Sequence, residues 1–360
     1  MALYYVTALS YIAAVLVVIP SPSQWRTKNI PTLSIIAWLF ITNVFQGTNT
    51  IIWANNVRVV ASVYCDIGEQ NEITTKFTKA LGGLIEDVSR PLQGNMLWMA
   101  STWGLPASTV CLTRYLASVT SPNYAPIGIN ERRKRFWFEM IMCVFMPFIF
   151  SGLHYILQSH RFYIEEDFGC KSADHVTWAA IWLLLAPTFA LSIVSAIFGG
   201  ISVYRLARCR MKCRKLFANS ASGLATSQYY RLMAISLQLV ITDLIMKLYV
   251  EISEVKAYGI YPWVSWAYVH EHYDEIPTFS KGDESRVGWI NKVVGSIIPV
   301  TYAFAFFFLF GFGEEAFSDY RRIWAWIKTH IFRVSSSAAV VAERGNMTHP
   351  NLAGSEDSSA

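Results

Sequence analysis

Asp243, Lys247 and Glu251 recur at every fourth position in and at the end of a run that is otherwise apolar. On an α-helix this spacing places them along one face, with acid four residues before base, the favourable order for a helical ion pair. Charges in an apolar helix are costly unless paired or set in a watery cavity. Two readings follow: a self-neutralising rail facing other helices, or a switch whose partners differ between two states. Asn291 and Lys292 lie about one turn into another apolar run, where the lysine either snorkels to the surface or faces a ligand. His154 is the only histidine well inside such a run, and bonding a neighbouring helix is the ordinary role there. The runs hold no His-x-x-x-His, His-Glu-x-x-His or Gly-x-Ser-x-Gly string. No catalytic residue, metal ligand or cofactor is therefore expected.

The elements that must carry these side chains are seven apolar stretches: Leu3 to Ile19, Thr32 to Ala54, Asn95 to Ala117, Trp137 to Leu157, Val176 to Val203, Tyr230 to Val250 and Trp289 to Phe312. Each is about the 17–25 residues that a helix needs to cross the hydrocarbon of a bilayer, and a lone helix satisfies its own backbone there. The expected fold is an all-α membrane protein, a seven-transmembrane helix bundle. Leu3 to Ile19 reads as a true span rather than a cleaved leader, because no basic segment precedes it and Pro20 follows it.

Charge sets the expected orientation. The loops after spans one, three and five carry the basic clusters Arg26 and Lys28, Arg132 to Arg135, and Arg205 to Lys215, while the opposite loops are rich in acids. Basic loops stay cytoplasmic, which puts the N-terminus outside and the C-terminus in the cytosol. The net charge of +5 comes from this asymmetry. Anionic membrane lipid accounts for the basic loops, and no nucleic-acid partner is expected.

Of six cysteines, Cys111 and Cys143 fall within spans as small hydrophobes, and Cys209 and Cys213 sit in a basic cytosolic run. Cys65 and Cys170 alone face the oxidising side, so a disulfide between them is expected. Residues 1–312 form the seven-helix bundle. Over 313–334, Phe317, Tyr320, Trp324, Ile327 and Ile331 share one helical face, the pattern of a helix lying on the membrane surface. The segment 335–360 is rich in Ser, Ala and Gly and reads as a disordered tail.

Seven strings resemble those of the fungal lipopeptide mating-pheromone receptors, the a-factor receptor type of class D G-protein-coupled receptors. They are QWRTKNIPTLSIIAWLFITNVFQGTNTIIWANN from Gln24, YCDI from Tyr64, GLPASTVCLTRYL from Gly104, YIEEDFGC from Tyr163, YYRLM from Tyr229, YPWVSWAYVH from Tyr261 and FGFGEEAFSDYRR from Phe310. The chain departs from the pattern in two places. Cys65 and Pro106 are 40 residues apart, through an insert around Gly68 to Gln93 that is either a genuine loop or a retained intron, and Leu237 to Val250 has no proline.

The resemblance implies a multi-pass plasma-membrane receptor that binds a farnesylated, carboxymethylated peptide outside and activates a heterotrimeric G protein inside, with homodimerisation. Such a ligand needs aromatic walls and a few polar contacts. Trp263, Trp266, Tyr268 and His270, with Glu165, Glu166 and Asp167 beside Cys170, are the candidates, joined by Asn291 and Lys292; interfacial anchoring is the competing role for the aromatics. Arg114, Arg132, Arg133 and Arg231 sit at span ends where a G-protein helix would dock.

Two other classes share the seven-helix outline. A retinal-type sensor needs a lysine near the middle of span seven, whereas Lys292 is close to its end; a transporter would move substrate without a G protein. The orientation itself is open to a direct check. The only glycosylation sequon, Asn346-Met347-Thr348, falls on the cytosolic side and is expected to carry no glycan. A glycosidase-sensitive mass shift abolished by Asn346→Gln would reverse the topology.

Overall fold

The computed structural model describes residues 3–60, 62–65, 96–121, 128–174, 177–208, 226–260, 262–312 and 321. The Gly68 to Gln93 insert, the run carrying Cys209 and Cys213, nearly all of the surface helix expected over 313–334, the tail over 335–360 and the Glu251 side chain lie outside the described residues.

Among the described residues seven long helices follow the seven apolar runs: α1 (Tyr4–Val18), α2 (Ile30–Ile52), α3 (Met96–Val119), α4 (Ile129–Leu157), α5 (Trp178–Arg208), α6 (Thr226–Tyr258) and α7 (Arg286–Phe310). Six of them are long and apolar enough to cross a membrane by composition, α1 together with the short helix that follows it to Arg26; α3 is the exception. The reason is its position. α3 packs against α2, α4, α5 and α6, so its polar residues face protein. Ser108, Thr109 and Thr113 are buried, and their hydroxyls bond back to Gly104 O, Leu105 O and Thr109 O at 2.7–2.9 Å. Hydroxyls satisfied within their own helix can be buried at little cost.

Local chemistry sets several helix ends. Asn29 caps α2 through the Thr32 N–H, with Pro31 in the first turn, and Ser285 caps α7 through the Gly288 N–H at 3.0 Å. α6 runs two turns past the apolar stretch that ends at Val250 and stops at Gly259, whose φ of +74° ends the helix in the left-handed region. Until Gly259 the sequence offers no breaker.

Two helices carry π turns, Ile141–Phe145 in α4 and Ile181–Leu185 in α5, each just before a proline, Pro147 and Pro187. Pro147 has no N–H to return to the Cys143 carbonyl four residues earlier. α2 supplies replacements: Ser34 Oγ and Trp38 Nε1 donate to that oxygen at 3.0 and 3.1 Å. Trp38 also lies against the backbone of α3, where a Cβ on Gly104 would overlap the indole nitrogen. The junction of α2, α3 and α4 is thus set by a proline, an indole and a glycine.

The all-helical expectation omits a small sheet, two strands of which lie between α4 and α5 and one between α6 and α7. β1 (Gln158–Glu165) pairs antiparallel with β2 (Gly169–Asp174), and β3 (Thr278–Phe279) joins β1 in parallel register, Ile164 opposite Thr278. The turn places Asp167 at φ +69° and Gly169 at φ +81°. It rests on the end of α2: a Cβ on Gly169 would meet Asn49 at 2.6 Å, and the Asp167 N–H donates to Trp53 O at 3.0 Å. Cys170 is disulfide-bonded to Cys65, Cα to Cα 6.0 Å, which ties the hairpin to the short helix Ser62–Cys65. The sheet and the disulfide cap one end of the bundle.

The α2–α3–α4 junction makes a stability prediction. Gly104→Ala forces the indole from its place and is expected to cost about 1–3 kcal/mol, the range for overpacking. Gly200→Ala, at a site where a Cβ meets nothing within 4 Å, is expected to be neutral or slightly stabilising. Thermal unfolding of the purified protein, followed with a thiol-reactive dye, should show a Tm loss of several degrees for the first only.

Candidate functional site

A cavity of about 160 Å³ opens among α3, α5, α6 and α7. Its walls are mostly apolar, with Leu105, Pro106, Leu239, Val240 and Tyr302, and its polar side is Thr109, Ser192, Asp243 and Lys247. Lys247 Nζ bonds Asp243 at 2.9 Å, and Ser192 of α5 donates to the same carboxylate oxygen. The i, i+4 pair read from the sequence is therefore formed, faces the bundle and is bridged to a second helix. Ser192 was not singled out by sequence reasoning. A signal existed: Ser192, Ser195, Gly199 and Ser202 follow a 3-4-3 spacing, one face of α5. That face meets α3 through Thr113 and Ser195, 3.2 Å apart, and α6 through Ser202 and the fully buried Tyr229.

The candidate ligand residues fall into three groups, none of which lines this cavity. Glu165 at the end of β1 pairs with Lys292 of α7, which also bonds Glu284 at 3.0 Å. Glu165, Glu166 and Lys292 share a small cleft with Lys281, Glu284 and Trp289. Glu166 accepts from the Lys281 N–H at 2.9 Å, and Asp167 accepts from the Asn55 N–H at 2.9 Å. These acids and Lys292 hold the cap to the bundle, with Lys292 ion-paired to Glu165 and Glu284. Burial keeps the nearby Lys171 ammonium below the usual lysine range, Glu165 opposing that effect and Lys292 adding to it.

The second group is aromatic. Trp266 stacks on His270 at 4.0 Å between centroids, Tyr155 and Tyr273 close around them, and His270 Nε2 lies 3.1 Å from Tyr155 O. This cluster pins the α6–α7 segment to the end of α4. Trp263 is exposed. Third, Asn291 accepts from Tyr249 OH at 2.8 Å, a bond between α7 and α6 at the bundle surface.

At the opposite end, Arg114 near the end of α3 is exposed and lies 4.5 Å over the Phe138 ring. Arg132 and Arg133 are exposed in the first turn of α4, and half-buried Arg231 lies in the second turn of α6. Arg135 stacks on Tyr115 at 3.8 Å and bonds Glu139 at 2.6 Å, and Arg205 of α5 donates to Ala117 O at 2.7 Å. The last contact caps a carbonyl in the final turn of α3, where a cation is favoured by the helix dipole. Sequence reasoning had placed Arg205 only in a general basic run.

The arrangement is a helix bundle with a partly polar internal cavity, a disulfide-tied cap at one end and exposed arginines at the other. The chain matches a known family and several curated relatives. The family model described as Pheromone A receptor matches residues 5–84 and 94–330, so within the Gly68 to Gln93 insert only residues 85–93 fall outside the match. The chain is similar to the Pheromone B beta 1 receptor of Schizophyllum commune, 31% identical over 88% of this chain and 53% of that protein, and to its Pheromone B alpha 1 receptor, 27% identical over 86% and 45%. Pheromone receptor 1 of Mycosarcoma maydis is 23% identical over 86% of this chain and 80% of its own length. The chain spans about half the length of the Schizophyllum relatives. No solved structure matches it. With a matched family model covering nearly all of the seven-helix bundle, this chain belongs to the pheromone A receptor family.

Proposed function

We propose that the chain is a plasma-membrane receptor for a farnesylated peptide pheromone, with the disulfide-capped end outside and the arginine-bearing end facing a heterotrimeric G protein. Family membership supports the receptor class. The observation that carries the mechanism is the cavity among α3, α5, α6 and α7, apolar on most of its wall and bounded by the Asp243–Lys247–Ser192 cluster. A prenyl chain gains by burial against Leu105, Leu239, Val240 and Tyr302, at roughly 0.8 kcal/mol for each buried CH₂. The cap residues Glu165, Glu166, Asp167 and Lys292 hold the mouth in shape, and the peptide portion meets their surface together with Trp263 and Trp266.

In this reading the ion pair is the switch. Lys247 and Asp243 are each about one-fifth to one-quarter exposed, 19% and 24% at the side chain, so neither charge is well hydrated. A ligand seated against them changes what α5 and α6 offer each other through Ser192, and helix α6 carries that change to Tyr229 and Arg231 at the far end. The resting arrangement is favoured by the intact pair; a ligand shifts the balance only through differential contacts with the two states. No chemical step is involved, and no cofactor enters.

The test is G-protein activation in yeast membranes against a panel of synthetic farnesyl peptides. At least one farnesylated peptide should activate, and its unprenylated form should not. Lys247→Ala, leaving Asp243 uncompensated, should raise basal activation several-fold without ligand, and adding Asp243→Ala should bring it back toward the resting level. A well-expressed Lys247→Ala receptor with unchanged basal activity and dose response would make the pair structural. Failure of every prenylated peptide would count against the ligand class.

A further inference from the structure

Four polar atoms near the contact of α1, α2 and α7 have no hydrogen-bond partner among the described residues: Ser10 Oγ, Asn43 Oδ1, and both Nε2 and Oε1 of Gln46. Ser10 and Asn43 are fully buried and Gln46 is 1% exposed. Leaving one such atom dry costs about 1–3 kcal/mol, and buried polar groups in folded proteins are nearly always bonded to protein or ordered water. Four in one place call for a bound partner.

The packing brings these atoms together. α1 and α2 run antiparallel, with Thr7 and Thr50 hydroxyls 2.8 Å apart and Gly47 against the Tyr11 ring. That register sets Ser10 level with Gln46. Asn43 lies three residues before Gln46, on the same face of α2, and its Nδ2 reaches Pro299 O of α7 at 3.2 Å. Pro299 lacks the N–H that would return to the Gly295 carbonyl, so the backbone of α7 is itself short of a donor here. Ser296, 3% exposed, lies three residues before Pro299.

The chemistry of the set names the ligand class. Gln46 Nε2 needs an acceptor, while Gln46 Oε1 and Asn43 Oδ1 need donors. Water supplies both, whereas a bare cation would repel the amide N–H. We infer that α1, α2 and α7 enclose a small cluster of bound waters, anchored on Gln46, that hydrates the backbone of α7 where Pro299 supplies no donor. Tyr302, one turn beyond Pro299, lines the bundle cavity, so the cluster sits where α7 can bend without exposing bare backbone to lipid.

Two measurements on the purified full chain test this. A density map fine enough to show ordered water elsewhere in the protein should show peaks at hydrogen-bond distance from Gln46 Oε1 and Nε2. Gln46→Met, close in shape but without hydrogen-bonding groups, should lower Tm by about 2–4 °C, because the waters lose their anchor. If Gln46 is dry, the same change removes an unsatisfied amide and Tm holds or rises; that result, or an empty void in the map, overturns the proposal. Ser10→Ala removes a single oxygen and carries the same sign test should Gln46→Met fail to reach the membrane. Replacing sodium by choline should leave wild-type Tm unchanged; a fall that Gln46→Met abolishes would mean a cation site instead.

Discussion

In a bilayer, a polar group that faces lipid has no water to bond, so every one inside the hydrocarbon must be answered by protein or by enclosed water. The architecture follows from that constraint. Pro147 leaves the Cys143 carbonyl without its own-helix donor, and α2 answers with Ser34 and Trp38. Pro299 removes one backbone donor from α7, and Asn43 of α2 reaches the Pro299 carbonyl. Asp243 is answered twice, by Lys247 of its own helix and Ser192 of its neighbour. Each bond adds only about 1 kcal/mol net, but each also prescribes which helix stands beside which. Where lipid tails are as apolar as leucine, that specificity comes from polar and small residues at the contacts.

The same rule explains the division of labour between helices. α3 falls short of a membrane span by composition while its buried polar residues meet other helices, and it touches most of them. α5 turns its Ser192, Ser195, Gly199 and Ser202 face to α3 and α6, making it the bridge between the cavity and the arginine-bearing end. Loops follow a different logic. The cap is held by ordinary strand pairing, a disulfide and the Lys292 ion pairs, which work at the membrane boundary as they would in a soluble domain.

Much of this is legible in the sequence alone. Hydropathy marks six of the seven described helices plainly, because a run of about twenty apolar residues has few alternatives. The i, i+4 spacing of Asp243 and Lys247 gives their pairing because a single helix fixes it. Cysteine arithmetic gives the Cys65–Cys170 pair. What could not be read depends on contacts between distant segments. Lys292 finds Glu165 more than a hundred residues away, and Trp266 and His270 pack on Tyr155. The β1–β2 hairpin escaped because its strands are short and polar, without strict alternation. α6 outruns its apolar stretch because hydrophobicity ends at Val250 while the helix continues until Gly259 supplies the left-handed stop. The cavity was invisible for the same reason: it is lined by four helices, each contributing residues that look like ordinary core.

The central claim is that the cavity bounded by the Asp243–Lys247–Ser192 cluster seats the lipid group of the ligand. Photo-crosslinking with an active farnesyl peptide that carries a diazirine in its prenyl chain, followed by mapping of the adducts, addresses it directly. The account predicts adducts on Leu105, Leu239, Val240 or Tyr302, suppressed by excess unlabelled peptide. Specific adducts confined to the Trp263 to His270 segment, or to the lipid-facing side of α4 or α5, would contradict it.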